Sequence, residues 1–264
     1  MATNGTSPDS RLKPGDLVLC GGCGVERTVF EIPHPITKEP RQMLGECDCH
    51  RKAWAEERAH RERKEMERRR AQVADRFGGL ELPEALASKS LEGFEETQGA
   101  GEAFQTARRF VTTLPERIKA GHGVIFSGPC GTGKTHLGAA IANAVNASGR
   151  AAIHADTNAL LERIKNLWGS GDKLGRLQAA ILDADLLVLE DLGQEVADKR
   201  ELAYLFGWLN GRYTACRSVI ITTNMTPHLF KQRYSEAILS RLRERCKWVT
   251  LTGDDFRTRL RVDW

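Results

Sequence analysis

No stretch of the chain approaches the roughly 18 consecutive apolar residues that a membrane-spanning helix needs. The first fifteen residues also lack the apolar centre of a secretory signal. A cytoplasmic protein without a membrane partner is therefore expected. A large excess of charge of one sign is lacking too. Lys and Arg number 39 against 35 Asp and Glu, a net +4 that permits contact with nucleic acid without demanding it. In such a compartment the seven cysteines are expected to be reduced thiols or metal ligands, not a disulfide framework. The Asn4-Gly5-Thr6 sequon is discounted for the same reason. What is present is ample apolar material. At 264 residues and 41% hydrophobic, the chain can build one large domain, or a medium one plus a small one.

Four of the cysteines crowd the N-terminal part. Residues 1–15, rich in Ser, Pro, Asp and Gly, read as a disordered leader. Then come Cys20-Gly21-Gly22-Cys23 and Cys47-Asp48-Cys49-His50. A C-x-x-C knuckle directs two sulfurs to one metal, and a second pair about two dozen residues on closes a tetrahedral Zn²⁺ site. The expected ligands are Cys20, Cys23 and Cys47, with Cys49 or His50 as the fourth; incidental free thiols or a redox pair are the alternatives. Four protein ligands leave no open position, so the expected role is structural. Short strands are expected at Val25–Ile32 and Gln42–Leu44. The zinc-binding domain spans 16–50.

Residues 51–77 read as a long polar helix in which Arg and Lys alternate with Glu at pairing distance. It serves either as an arm touching DNA or a partner protein, or as a solvated spacer. Scattered Gly, Pro and Ser mark 78–101 as a linker, and 102–264 as the main domain.

The centre of that domain is Gly128-Pro129-Cys130-Gly131-Thr132-Gly133-Lys134-Thr135, with the G-x-x-x-x-G-K-[ST] spacing of a phosphate-binding loop. An apolar strand, Gly123–Ser127, precedes it, and a helix with Leu137, Ala140, Ile141, Ala144 and Val145 on one face follows. Glycines let successive backbone N–H groups turn toward a phosphate chain at a helix N-terminus. Lys134 is placed to reach the β- and γ-phosphates of ATP, and the Thr135 hydroxyl to ligate Mg²⁺. A helix is expected over 103–120. Further strands are expected at Ala151–Ala155, Leu186–Leu189, Ser218–Thr223 and Trp248–Leu251, and helices begin after Thr157, Asp198 and Thr226 and at Glu236. Apolar strands alternating with helices predict an α/β fold with a five-stranded parallel sheet covered on both faces, and ligands at the carboxyl ends of the strands. Glu190, Asp191 and Asn224 end two of those strands.

Four segments in order, Gly128–Leu137, Leu186–Gly193, Ile220–Asn224 and Ser235–Cys246, resemble the DnaC/DnaI helicase-loader branch of the AAA+ P-loop ATPases. The likeness covers residues from about 90 to about 262. The cysteine cluster is similar, less closely in spacing, to the zinc domain of some loaders. The resemblance implies catalytic roles for Glu190 on the Mg²⁺ side, Asp191 as the activator of water, Asn224 as a γ-phosphate sensor and Arg241 as a finger toward a neighbouring subunit. It adds His136 and a second sensor, Arg257, to the nucleotide-binding residues, and it implies a minimal C-terminal lid. The family's acid pair begins with Asp, so the Glu190-Asp191 order here departs from it and suggests slow, assembly-dependent hydrolysis. The partners implied are a replicative DnaB-type helicase, single-stranded DNA and further copies of the chain. Lys165, Trp168, Lys173 and Arg176 are candidates for DNA contact. Alternatives are an IstB-like transposition helper, which generally lacks the cysteine cluster, and a nucleotide-gated adaptor for another replication or repair protein.

Overall fold

The computed structural model describes residues 12–96, 99–195 and 197–256. Most of the expected leader lies outside them, as does Arg257. The chain divides into two compact units, Met1–Glu65 and Met66–Trp264.

In the first unit β1 (Leu17–Leu19), β2 (Glu26–Pro33) and β3 (Pro40–Leu44) form an antiparallel sheet in that order. Strand β1 has no counterpart in the sequence reading. It is three residues long, too short to show an alternating pattern. Gly24, at φ +69°, closes the cysteine turn, donating its N–H to the Cys20 carbonyl at 2.8 Å. Helix α1 (Asp48–Phe77) starts at the second cysteine pair.

From Met66 onward α1 belongs to the second unit, where its face turns apolar. Val73 is fully buried, Arg76 pairs with Asp183 at 2.8 Å, and Arg70 donates to the carbonyls of Asn146 and Arg150. The short α2 (Glu84–Ala87) follows, tied down by Asn143, whose amide donates to the carbonyls of Leu86, Ala87 and Lys89. The single helix expected over 103–120 is two, α3 (Gly101–Thr112) and α4 (Leu114–Ala120). Thr113 leaves helical geometry at ψ 35°, and Pro115, with no N–H to donate, fits only in the first turn of a new helix.

Five parallel strands make the main sheet: β4 (Gly123–Ser127), β5 (Ala152–Asp156), β6 (Leu186–Glu190), β7 (Ser218–Thr223) and β8 (Cys246–Thr250), in the spatial order β5-β6-β7-β4-β8. Alternate residues serve two cores. Ile125, Leu187, Leu189 and Ile221 face one; Val124, Phe126, Val188 and Ile220 face the other. The second core is closed by α3 and α5 (Lys134–Ala147). The first is closed by α6 (Thr157–Asn166), α7 (Gly171–Asp183), α8 (Lys199–Thr214), α9 (Pro227–Tyr234) and α10 (Glu236–Arg245). The N-cap of α6 is Asp156, which accepts from the Ala159 N–H, and Thr157 is its first residue. The Thr157 hydroxyl instead donates to the Glu190 carbonyl at 2.7 Å. The Asp198–Glu201 capping box and the Thr226 cap form as their spacing predicts.

Arg212 is wholly buried and donates to the carbonyls of Ile181, Ala184 and Ser218 at 2.6–2.9 Å. Burial pulls its pKa down to about 9, against the opposing pull of Asp185 and Asp183. Arg212→Leu would strand three carbonyls. We expect a loss of about 3 kcal/mol or more, or ~6–12 °C in Tm at this size, read by calorimetry. A drop below ~2 °C would show that water or repacking satisfies them.

Candidate nucleotide site and cysteine cluster

The loop between β4 and α5 sits at the carboxyl end of the sheet, where β6 and β7 also deliver Asp191 and Asn224. Gly131 and Gly133 hold φ +74° and +96°, which side chains rarely adopt. Both are also closely covered. A Cβ on Gly133 would lie 2.7 Å from the Phe94 ring, and one on Gly131 would collide with the Asp255 carboxylate. The Phe256 N–H donates to the Gly131 carbonyl at 3.0 Å.

Lys134 is only 5% exposed, and its ammonium donates to the carbonyls of Gly128 and Pro129 at 2.9 and 2.6 Å. The charge is thus held at the loop rather than in solvent. Thr132 Oγ1 donates to the Pro129 carbonyl. His136 Nε2 carries the proton that it gives to the Ser90 carbonyl at 2.8 Å, and its ring meets Phe94 edge-on at 5.2 Å. Burial depresses the His136 pKa, so the neutral ring is favoured.

A cleft of about 520 Å³ opens over the loop. Cys130 to His136 line it together with Asp191 and Asn224, and Lys89, Phe94 and Phe256 wall it. This is within the volume range of small-molecule sites. Asp191 adopts φ +52°, a left-handed conformation that Asp tolerates better than most residues, and its N–H donates to Thr222 Oγ1 at 3.0 Å. Asn224 Nδ2 lies 3.5 Å from Cys130 Sγ, and its Oδ1 is buried without a hydrogen-bond partner among the described residues. An acceptor left over beside a phosphate-type loop fits a missing donor such as a bound water.

Glu190 is not among the cleft-lining residues. Glu190 is the last residue of β6 and its carboxylate lies 3.6 Å from His154 Nε2 on β5, whereas Asp191 lies past the strand end in its left-handed conformation. Burial lowers the His154 pKa to about 4, against the pull of Asp156, so this neighbour is a neutral imidazole at pH 7. Arg241 does not line the cleft either. It is exposed on α10, its guanidinium 5.9 Å from the centre of the Tyr213 ring, whose hydroxyl donates to Glu244. Arg257 lies outside the described residues. Of the DNA-contact candidates, Trp168 has one ring face covered by the Arg200 guanidinium at 4.1 Å, and Arg176 pairs with Asp75 at 2.7 Å. His154, Phe94 and the 255–256 cover escaped the sequence reading as site features. The parallel register of Asp156 with Glu190 is the signal that puts His154 near the acid pair.

The first unit holds a second centre. The sulfurs of Cys20, Cys23, Cys47 and Cys49 all lie within 4.8 Å of one another, and none of the four is in a disulfide. Cys47 approaches Cys20 at 3.4 Å and Cys49 at 3.1 Å. Four thiolates at about 2.3 Å from one zinc would stand some 3.8 Å apart, so the donor set fits that ion with small adjustments. The N–H groups of Gly22 and Cys23 draw the Cys20 thiol down to about 6, while Cys49, facing the other sulfurs, is pushed up. His50 is not in the group; its ring lies parallel to Trp54 at 6.5 Å.

Comparison with known proteins agrees with this geometry. The sequence profile of the family "IstB-like ATP binding protein" matches residues 50–263. The replicative helicase loader DnaC of Escherichia coli (strain K12) is 27% identical over 167 residues, 62% of this chain and 67% of that protein. The crystal structure of the DnaC helicase loader superposes with a TM-score of 0.57 at 26% identity, over 64% of this chain and 99% of that one. The crystal structure of DnaI shares the fold, at a TM-score of 0.55 and 23% identity, over 65% and 95%. A P-loop between β4 and α5, the five-stranded parallel sheet and a profile match over most of the length place the chain in the IstB-like ATP binding proteins, an AAA+ family whose similar members include the DnaC helicase loader.

Proposed function

We propose that the chain is an ATP-dependent loader of a replicative DnaB-type helicase onto single-stranded DNA. The observation that carries this is the similarity to DnaC over 167 residues, joined to a cleft with the parts that an ATP switch needs. Gly128 to Lys134 would hold the phosphates, His136 and Phe94 would position the nucleotide beside α5, and Thr135 would hold Mg²⁺, with Glu190 at the end of β6 supporting the ion through its bound waters. A bound metal ion there would offset the developing charge on the phosphates. Asp191 is the carboxylate already in the cleft, so it is the group assigned to take the proton from the attacking water. Asn224 would orient that water through its Oδ1. Arg241, exposed and away from the cleft of its own chain, suits contact with the γ-phosphate held by a neighbouring copy, and Arg257 is assigned as the second sensor. The four cysteines would hold zinc as a structural ion.

Asp191→Asn tests the hydrolytic part, because Asn is the side chain best able to replace Asp at a positive φ. ATP turnover should fall at least ~100-fold, with ATP affinity within about twofold of wild type. Unchanged turnover would remove Asp191 as the base. The loading role is tested by mixing the full chain, the helicase, ATP and circular single-stranded DNA. Helicase bound to the circles and active in unwinding is expected; a helicase that neither binds the chain nor enters the circles sinks the reading. The family profile itself supports a second reading, an IstB-like transposition helper. Capture of a transposase, with no helicase binding, would favour it.

A further inference from the structure

A second cleft, of about 450 Å³, opens at the opposite end of the sheet, beside the first residues of β4. It is lined by cations from three separate elements: Arg109 on α3, Arg117 on α4 and Lys247 on β8. Its floor includes the buried Phe110 and Val124. Glu102 is the sole carboxylate among its lining residues, and Lys247 already holds it at 2.9 Å while also donating to Thr106 Oγ1. Arg117 is kept in place without a carboxylate: its Nε donates to Thr113 Oγ1 at 3.1 Å, and one terminal nitrogen donates to His122 Nδ1 at 3.3 Å. That bond leaves the proton of a neutral His122 ring on Nε2, a further donor. Neither Arg109 nor Arg117 has an acidic partner among the described residues. Three cations against one carboxylate, in a concave site with an apolar floor, make a locus that lacks an anion.

We propose that this cleft is an anion site, distinct from the nucleotide cleft, that takes phosphate groups. Two guanidiniums offer planar forks of N–H donors that match phosphate oxygens, which a lone ammonium does not. The apolar floor lowers the local dielectric and strengthens the attraction. The phosphates come either from the backbone of a single nucleic-acid strand or from a free polyphosphate. The cleft places Arg109 and Arg117 on separate helices, which suits two successive phosphates better than one. The inference stands whether or not the chain loads a helicase.

The test uses the full, nucleotide-free chain with two probes, a fluorescein-labelled dT 20-mer followed by anisotropy and inorganic tripolyphosphate followed by calorimetry. Arg109→Gln combined with Arg117→Gln should weaken the bound probe at least ~10-fold. For the oligonucleotide, the slope of log K against log salt should become shallower by about 1.4, two single-strand contacts' worth. Glu102→Gln should act oppositely and tighten binding by about threefold, a gain that damage to the fold would not produce. Arg109→Gln alone, at an exposed position, guards against misfolding of the double variant, and ATP affinity should be unchanged throughout. Loss confined to the oligonucleotide assigns the cleft to a strand, and loss confined to tripolyphosphate assigns it to a free polyphosphate. If neither probe's affinity responds to Arg109→Gln, to the double variant or to Glu102→Gln, the proposal is overturned.

Discussion

Replacing Lys134 by alanine should abolish nucleotide binding while leaving the fold intact. The lysine does two jobs. Its ammonium satisfies the carbonyls of Gly128 and Pro129, and it is a buried cation at the loop where the phosphates would sit. Hydrogen bonds to charged groups contribute about 1.5–3 kcal/mol each. Losing two such contacts to phosphate weakens ATP by at least ~100-fold. Gly128 is half-buried and Pro129 exposed, so water can replace the ammonium at the two stranded carbonyls and the stability cost stays near ~1 kcal/mol. Titration with a fluorescent ATP analogue, set beside the melting temperature, separates the two effects. A variant that binds the analogue within threefold of wild type would show that the loop is not the phosphate site. The same titration bears on the cover over the loop. Asp255 brings its carboxylate against Gly131, where phosphate oxygens would sit, so ATP entry requires that side chain to move. Asp255→Asn should therefore tighten ATP, most visibly at low salt.

How much of this was legible depended on how local the cause is. Strand β4 and helix α10 were readable to the residue, because an unbroken apolar run and a run bounded by Ser235 and Cys246 leave little latitude. The Asp198–Glu201 box was readable because capping is a matter of three-residue spacing. The cap of α6 is Asp156, one residue before the expected Thr157. Asp156 and Thr157 are both good caps, and the choice is made by the Glu190 carbonyl, which takes the Thr157 hydroxyl from 33 residues away. The break at Thr113 was signalled by Pro115, yet the apolar period runs on through Leu114 and Ile118 and hides it. In the site, the loop and the acid pair could be found from spacing. Which acid lines the cleft could not, since Asp191 leaves the strand in a left-handed conformation tied to Thr222 Oγ1, 31 residues away. The approach of Asp255 to Gly131 is a contact between residues 124 positions apart, and no local pattern encodes it.

Removing zinc, or making Cys47→Ser, should unfold the first unit and spare ATP binding in the second. The reason lies in what the first unit buries. Among its described residues only Cys20, Val29 and Cys47 are buried; Leu17, Leu19, Val25 and Ile36 are all more than half exposed. One valine side chain contributes about 1.5–3 kcal/mol, far below the conformational entropy of ordering three strands and two turns. A three-stranded sheet with so little core is stable only if something else ties it, and the four sulfurs link the end of β1 to the start of α1. Structural zinc supplies free energy on the order of 10 kcal/mol, released only when the ligands converge, so on the proposed zinc site metal binding and folding of this unit would be one event. We expect one zinc per chain by mass spectrometry and amide-exchange protection at 15–45 that vanishes with a strong chelator. The exchange pattern of residues 123–250 should not change. His50→Ala should retain the metal, since its ring stands apart from the sulfurs, and loss of zinc in that variant would reassign the fourth ligand. Persistent protection at 15–45 in metal-free protein would mean that the sheet is held by contacts other than the cluster, and the structural role of the cysteines would fall.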